Sequence, residues 1–224
     1  MNQNLRNRKI LDYGDVAQFP AGESTEPLVD VTTYDSSIVT QYIKVDMIPI
    51  TGESIYVRNS IAKKLAKIES SLREKGYRLK IVYGYRHPSV QAKYFYNRRE
   101  TLSLQHSELS TEQLDRYTHS FVAAPSVAGH PAGAAVDLTI IESDGSYIDM
   151  GTAIADYSDE EKIKTFGDGL TEQQQRNRKL LHDLMVAENF APFYGEWWHF
   201  SYGDREWAAF YNKKALFGAI EFNI

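Results

Sequence analysis

The chain has 224 residues, 42% of them hydrophobic, and a formal net charge of -5. This length suits one domain or two small ones. The chain has no Cys, which excludes disulfides, thiolate metal ligands and cysteine nucleophiles. The acidic balance argues against a nucleic-acid partner, and no stretch is long and apolar enough to span a membrane. The basic residues near the start precede no apolar run, which predicts a chain without a signal peptide and a cytoplasmic location.

The first part of the chain differs from the rest in patterning. Residues 1–40 are polar and weakly patterned, which predicts an N-terminal arm that packs on the domain or is partly disordered. Residues 41–224 are predicted to form a single domain. A helix is expected early in it, capped by Asn59 or Ser60, because four apolar residues fall on one helical face. These residues are Ile61, Leu65, Ile68 and Leu72.

Strands and helices then follow without regular alternation. Leu79, Ile81 and Tyr83 alternate as in a strand, and a helix is predicted from Pro88 to about Arg99. Two pairs have the spacing of a capping box, and two further segments resemble strands. The pairs are Ser110 with Gln113 and Thr171 with Gln174, and the strand segments are AVDLTII at 135–141 and FYGEWWHFSY at 193–202. This mixture favours an α+β fold with an antiparallel central sheet flanked by helices.

Two segments combine a histidine with a carboxylate. His130 lies seven residues before Asp137, and Glu196 lies three residues before His199. A catalytic zinc site commonly takes three protein ligands and keeps a fourth position open. His130, Asp137 and His199 could supply that set, which would leave Glu196 free to act as a base.

The spacing of Glu196 and His199 sets a geometric condition on this hypothesis. An odd spacing places two side chains on opposite faces of a regular strand, so both can face one site only if the chain turns or bulges near Gly195. Taken alone, the residues also fit a simpler interpretation. In that interpretation His130 is a loop histidine, Asp137 caps a strand, and His199 is a hydrogen-bonded core residue.

The segments GHPAGAAVDLT and GEWWHF together resemble the zinc D-alanyl-D-alanine peptidases, whose fold is shared with the hedgehog signalling domain. The family pattern S-x-H-x-x-G-x-A-x-D is followed by E-x-W-H. The first part corresponds here to Ala128, His130, Gly133, Ala135 and Asp137, and the second to Glu196, Trp198 and His199. The segments YIKVDMIPITGE, GYRHP, DMGT and NRKLLHDLM are similar to the vancomycin-resistance-type dipeptidase branch. The similarity runs in order from about Tyr42 to Trp207.

The resemblance implies roles for individual residues. It implies one zinc ion per chain, held by the two histidines and Asp137, with Glu196 as the base that activates a metal-bound water. Arg86 matches the arginine that stabilises the oxyanion, as a fixed guanidinium can do. Asp156 is the expected acceptor of the substrate's free amine, although the match needs one extra residue in the loop. Ala128 replaces a substrate-contacting serine, for which Ser126 is the nearest alternative.

The expected function is therefore zinc-dependent hydrolysis of D-alanyl-D-alanine to D-alanine. Tyr83 stands where the dipeptidases commonly have an acid, and the Arg86-to-Gln91 spacing resembles that of the related D,D-carboxypeptidases. A carboxypeptidase or endopeptidase acting on larger peptidoglycan peptides is thus the alternative. A non-catalytic zinc-containing binding domain is a third hypothesis, against which Glu196 and Arg86 argue. The expected partner is a small D,D-dipeptide or a peptidoglycan peptide, and no oligomeric state is predicted.

Four other histidines carry weaker expectations. His106 and His119 lie in polar segments and are expected to be exposed. His182 is expected on the polar face of its helix. His87 neighbours Arg86 and is the one expected to approach the site.

Overall fold

Seven helices and seven strands follow one another in the computed structural model, which describes residues 9–222. The strands are β1 (Leu28–Asp30), β2 (Val39–Thr40), β3 (Tyr56–Arg58), β4 (Tyr77–Tyr83), β5 (Ala135–Glu142), β6 (Ala191–Pro192) and β7 (His199–Ser201). The helices are α1 (Tyr13–Ala17), α2 (Ile48–Thr51), α3 (Asn59–Arg73), α4 (Pro88–Gln105), α5 (Thr111–His119), α6 (Glu172–Ala187) and α7 (Arg205–Tyr211). The α+β class expected from the sequence is confirmed.

Five strands form the central sheet, in the order β2-β4-β5-β7-β6. Its longest ladder joins β4 and β5, which run antiparallel from Tyr77 opposite Glu142 to Tyr83 opposite Asp137. The pairs β5–β7 and β6–β7 are also antiparallel. The edge strand β2 pairs with β4 in the parallel direction, so the predicted antiparallel sheet has one parallel pair. Strands β1 and β3 form a separate antiparallel pair.

Helix α3 packs its predicted apolar face into the core. Its four stripe residues are at most 1% exposed and belong to the cluster that also contains the inward residues of β4 and β5. The predicted cap was wrong, because the helix begins after Arg58 without a side-chain cap. The carboxylate of Glu26 accepts a hydrogen bond from the backbone N–H of Ser60 instead. The orphan donor of the first turn is thus satisfied by a residue far away in the sequence.

The capping boxes predicted from the sequence are present. Ser110 and Gln113 exchange hydrogen bonds at the start of α5, and Thr171 and Gln174 do so at the start of α6. The helix expected to end at about Arg99 continues to Gln105 as α4. Of the segment expected to form a strand over 193–202, only His199–Ser201 does so.

The described part of the N-terminal segment, residues 9–40, contacts the rest of the chain throughout. Strand β1 pairs with β3, β2 joins the central sheet, and Val31 and Ile38 lie in the main core cluster. The division at residue 40 into an arm and a domain stays a prediction. Among the described residues, we find no helix with the length and apolar character needed to cross a membrane.

Candidate metal centre and catalytic cavity

Asp137 and His199 are brought together by the register of the central sheet. Asp137 on β5 lies directly opposite His199, the first residue of β7. Their side chains meet on one face, with His199 Nδ1 2.9 Å from Asp137 Oδ1. Directly opposed residues of an antiparallel pair have neighbouring side chains. The ladder therefore brings these two groups together, although they are 62 residues apart in the sequence.

His130 reaches the same place from the turn that precedes β5. It begins a short 3-10 turn, and Gly133 reverses the chain with a φ of 64°. A Cβ at Gly133 would lie 2.2 Å from Leu28 Cδ2, so both backbone and space favour glycine. The ring Nδ1 of His130 lies 2.7 Å from the carbonyl oxygen of Gly84 and donates to it. This bond leaves Nε2 with its lone pair, 3.5 Å from Asp137 Oδ2.

These three side chains fit a metal ion. Their candidate ligand atoms all lie within 4.8 Å of one another. Two imidazoles and one carboxylate form a set typical of catalytic zinc, and the bond from His130 to Gly84 is the kind of outer contact that orients a metal-binding imidazole. Burial works against a charged His199, yet Asp137, Glu206 and Glu196 raise the pKa of His199 to about 10. The negative charges that favour a proton on His199 also favour a metal cation between the candidate ligands.

Glu196 shares the site because the chain turns between Glu196 and His199. The N–H of Glu196 donates to the carbonyl of Phe193 at 3.1 Å, and the N–H of His199 donates to the carbonyl of Glu196 at 3.4 Å. The three-residue spacing is therefore spanned by turns, which the metal-site hypothesis required. Burial raises the pKa of the Glu196 carboxyl. Its Oε1 accepts a hydrogen bond of 2.9 Å from the hydroxyl of Tyr157.

Arg86 is fixed beside the metal-binding set. Its backbone N–H donates to the carbonyl of His130 at 3.1 Å, and its Nη1 donates to Gln91 Oε1 at 2.8 Å. The guanidinium carbon lies 4.5 Å from the ring centroid of Tyr83 and 5.2 Å from that of Tyr94. Its Nε is buried and has no hydrogen-bond partner among the described residues. The guanidinium therefore brings a fixed positive charge close to Asp137.

All five groups line one cavity of about 170 Å³. Its wall also contains side chains from five other parts of the chain. These are Lys44 before α2, Tyr94 on α4, His119 on α5, and Tyr157 and Glu206. A cavity with three candidate metal ligands, a carboxyl group of raised pKa and a fixed guanidinium is suited to polarising a carbonyl and moving a proton.

Asp156 and Ser126 are not placed with this group. Both are exposed, and neither is among the residues that line the cavity. The Asp156 carboxylate accepts a hydrogen bond from the backbone N–H of Ser158, while its neighbours Ala155 and Tyr157 line the cavity. Ala155 has a φ of 59°. The substrate-binding roles of Asp156 and Ser126 stay predictions.

The remaining histidines differ partly from expectation. His182 is 3% exposed, with its Nε2 3.3 Å from the hydroxyl of Tyr194, so the expected polar position was wrong. His119 is half-buried and lines the cavity, with its Nδ1 accepting from the N–H of Ala124. His87 accepts a hydrogen bond from Ser89 at the start of α4 and does not line the cavity.

Sequence reasoning also missed Lys44, Tyr157 and Glu206. None of them lies within GHPAGAAVDLT or GEWWHF, and the tertiary fold brings each one to the cavity. Lys44 did stand within YIKVDMIPITGE, a segment that the resemblance had already marked. The other two had no comparable signal.

Residues 29–216 match the peptidase family model Peptidase_M15, described as D-ala-D-ala dipeptidase. A D-alanyl-D-alanine dipeptidase of Synechocystis sp. is 34% identical over 113 residues, which cover 41% of this chain and 44% of the relative. One from Escherichia coli is 33% identical over 73 residues, covering 33% and 37%. One from Enterococcus faecium is 26% identical over 145 residues, covering 62% and 69%. The matched regions span less than half the length of the first two relatives.

Solved structures show a weaker likeness. A zinc complex of the vancomycin-resistance D,D-pentapeptidase VanY is 17% identical with a TM-score of 0.42, covering 71% of this chain and 79% of that one. The LD-carboxypeptidase LdcB is 17% identical with a TM-score of 0.46, covering 86% and 76%.

Proposed function

We propose, from the premise that this chain belongs to the peptidase family described as D-ala-D-ala dipeptidase, that it is a zinc enzyme hydrolysing D-alanyl-D-alanine to D-alanine. One observation carries the proposal. The three candidate metal ligands His130, Asp137 and His199 share a single cavity with Glu196 and Arg86. This combination provides a metal site, a base and an electrophilic donor at one place, which peptide hydrolysis requires.

The chain's own residues divide the chemistry between them. Zinc bound here would supply a Lewis acid and lower the pKa of water. Glu196 takes a proton from the attacking water and returns one to the leaving amine, and its burial-raised pKa suits both transfers. The Tyr157 hydroxyl occupies one carboxylate oxygen and orients the group. Arg86 donates to the oxygen on which negative charge develops.

The same site is compatible with two alternative functions, which make different demands on its residues. A D,D-carboxypeptidase would accept a longer peptide in the same cavity, whereas a non-catalytic zinc-containing domain would need neither a base nor an oxyanion donor. The proximity of Glu196 and Arg86 to the candidate ligands favours an enzyme. The family and the dipeptidases it resembles favour the dipeptide as substrate.

Product analysis tests the proposal directly. Purified protein is incubated with D-Ala-D-Ala or with a pentapeptide ending in D-Ala-D-Ala, with and without zinc, and the products are identified by mass spectrometry. We expect zinc-dependent release of D-alanine from the dipeptide and slower cleavage of the pentapeptide. Faster cleavage of the pentapeptide would favour the carboxypeptidase, and cleavage of neither would refute the proposal.

Glu196→Gln tests the base within the same assay. The substitution keeps the shape of the side chain and removes its proton-accepting charge. We expect zinc content to be unchanged by elemental analysis and turnover to fall at least about a hundredfold, the scale of lost general-base catalysis. Glu160→Gln is the matched control, because Glu160 is exposed and lies outside the cavity.

A further inference from the structure

Lys44 brings a second cation to the cavity wall. Its Nζ lies 4.8 Å from the ring centroid of Tyr94, the same ring that Arg86 approaches at 5.2 Å. Among the residues that the structure describes, we find no hydrogen bond or ion pair to the Lys44 ammonium. Two like charges near one aromatic ring repel each other. Their arrangement is favoured when an anion lies near them.

The charges around Lys44 agree with this arrangement. Burial lowers the pKa of Lys44, and the charge of Arg86 lowers it further, while Asp137, Asp46 and Glu196 oppose that shift. Asp46 is already engaged by the hydroxyls of Tyr83 and Tyr94. Asp137 faces the two histidines. None of these carboxylates forms an ion pair of 4 Å or less with Lys44 among the described residues.

Three other polar side chains of this wall have protein partners. Gln91 accepts from Arg86 and donates to the carbonyl of Ala123 at 2.7 Å. His119 accepts from the N–H of Ala124 at 3.1 Å. The Tyr157 hydroxyl donates to Glu196. Lys44 therefore offers the cavity a cation that is not paired with a carboxylate of the described residues.

We propose that Lys44 determines substrate specificity by binding the free carboxylate at the C-terminus of the peptide. This inference rests on the proposed function, since it concerns the same cavity and the same substrate. A dipeptide presents one carboxylate, one residue away from its scissile carbonyl. Arg86 and Lys44 share the Tyr94 ring, so the carbonyl oxygen and the carboxylate can each meet a cation. Lys44 is exposed but lines the cavity, and a charge-assisted contact to a carboxylate is stronger than a neutral hydrogen bond.

The test compares substrates with and without that carboxylate. The kcat/KM of the zinc-loaded enzyme is measured for D-Ala-D-Ala and for D-Ala-D-alaninamide, in wild type and in Lys44→Met. We expect wild type to prefer the free acid, and the ratio of the two kcat/KM values to fall at least fivefold in Lys44→Met. Lys44→Arg, which keeps the charge, should retain most of the preference.

Lys63→Met is the matched control. Lys63 also lies over a tyrosine ring, 5.3 Å from the centroid of Tyr34, but it does not line the cavity. Its substitution should leave the acid-to-amide ratio unchanged. A fall of the ratio in Lys63→Met equal to that in Lys44→Met would overturn the assignment, as would an unchanged ratio in Lys44→Met.

Binding measurements replace kinetics if D-Ala-D-alaninamide is hydrolysed too slowly for its kcat/KM to be measured. The dissociation constants of the acid and the amide are measured by calorimetry in Glu196→Gln, with and without Lys44→Met. Loss of the acid preference on adding Lys44→Met supports the inference, and its persistence contradicts it. If wild type neither binds nor cleaves D-Ala-D-Ala, the proposed function itself fails. If wild type cleaves it and the ratio does not respond to Lys44, only the present inference fails.

Discussion

The carboxylate of Glu206 lies on the side of the His199 ring that faces away from Asp137. His199 uses Nδ1 toward Asp137, and its other nitrogen, Nε2, lies 3.9 Å from Glu206 Oε2. Glu206 lies in the first turn of α7, and its Oε1 is buried without a hydrogen-bond partner among the described residues. A carboxylate on the far side of a metal-binding imidazole fixes the ring orientation and makes the ring a better ligand.

Glu206→Gln is expected to weaken zinc binding about ten- to a hundredfold, the usual cost of losing such an outer carboxylate. The measurement is a competition titration of the metal-free protein against a chromophoric chelator. Glu172→Gln is the control, since Glu172 also lies in the first turn of a helix but is exposed and does not line the cavity. An affinity within twofold of wild type in Glu206→Gln would show that Glu206 does not support His199.

At the scale of elements, Arg58 joins three segments that are distant in the sequence. It is 2% exposed and lies at the end of β3. Its guanidinium donates to the carbonyls of Ala132 at 2.7 Å, Gly218 at 3.1 Å and Glu26. The Ala132 carbonyl belongs to the turn that carries His130. Arg58 thus connects the N-terminal segment and the C-terminal segment to the metal-binding turn.

Arg58→Met should lower the free energy of unfolding by roughly 2–4 kcal/mol, because it leaves buried carbonyls without donors. Urea denaturation of the metal-free protein measures this loss separately from metal binding. Arg73→Met is the control, since Arg73 ends the neighbouring helix α3 and its side chain is largely exposed. A loss no larger than that in Arg73→Met would mean that the three carbonyls find other partners.

The elements that could be predicted are those determined by local patterns. The apolar stripe of α3 and the capping boxes of α5 and α6 depend on residues within a few positions of one another. The cap of α3 could not be predicted, because the backbone N–H of Ser60 donates to Glu26, 34 residues away. The aromatic run after Phe193 has the composition of a strand, but turns at Glu196 interrupt it.

On the scale of the whole molecule, the motifs contained the candidate metal ligands but not the rest of the cavity wall. His130 and Asp137 are separated by one turn, so one motif could contain both. Lys44 and Tyr157 reach the cavity only because the sheet places β4, β5 and β7 side by side and the connecting segments cover that face. The candidate ligands and Glu196 could therefore be located from the sequence, whereas the other residues of the cavity wall required the fold.

The three candidate ligands come from segments that lie far apart in the unfolded chain. His130 precedes β5, Asp137 lies within it, and His199 begins β7. A site containing all three ligands exists only in the folded protein. The free energy of metal binding therefore adds to the free energy of unfolding. We expect zinc at a thousand times its dissociation constant to stabilise the chain by roughly 4 kcal/mol. For a chain of this size, that corresponds to a rise in Tm of about 8–16 °C.

Differential scanning calorimetry with zinc and with a chelator measures this rise. His199→Ala should abolish it by removing one ligand, whereas Glu196→Gln should retain it, because Glu196 acts on the reaction rather than on the metal. His106→Ala serves as the control, since His106 lies at the end of α4 and does not line the cavity. An undiminished rise in His199→Ala would show that the stabilising metal binds elsewhere on the chain. A rise lost in both His199→Ala and Glu196→Gln would instead make Glu196 a ligand and leave the reaction without its proposed base.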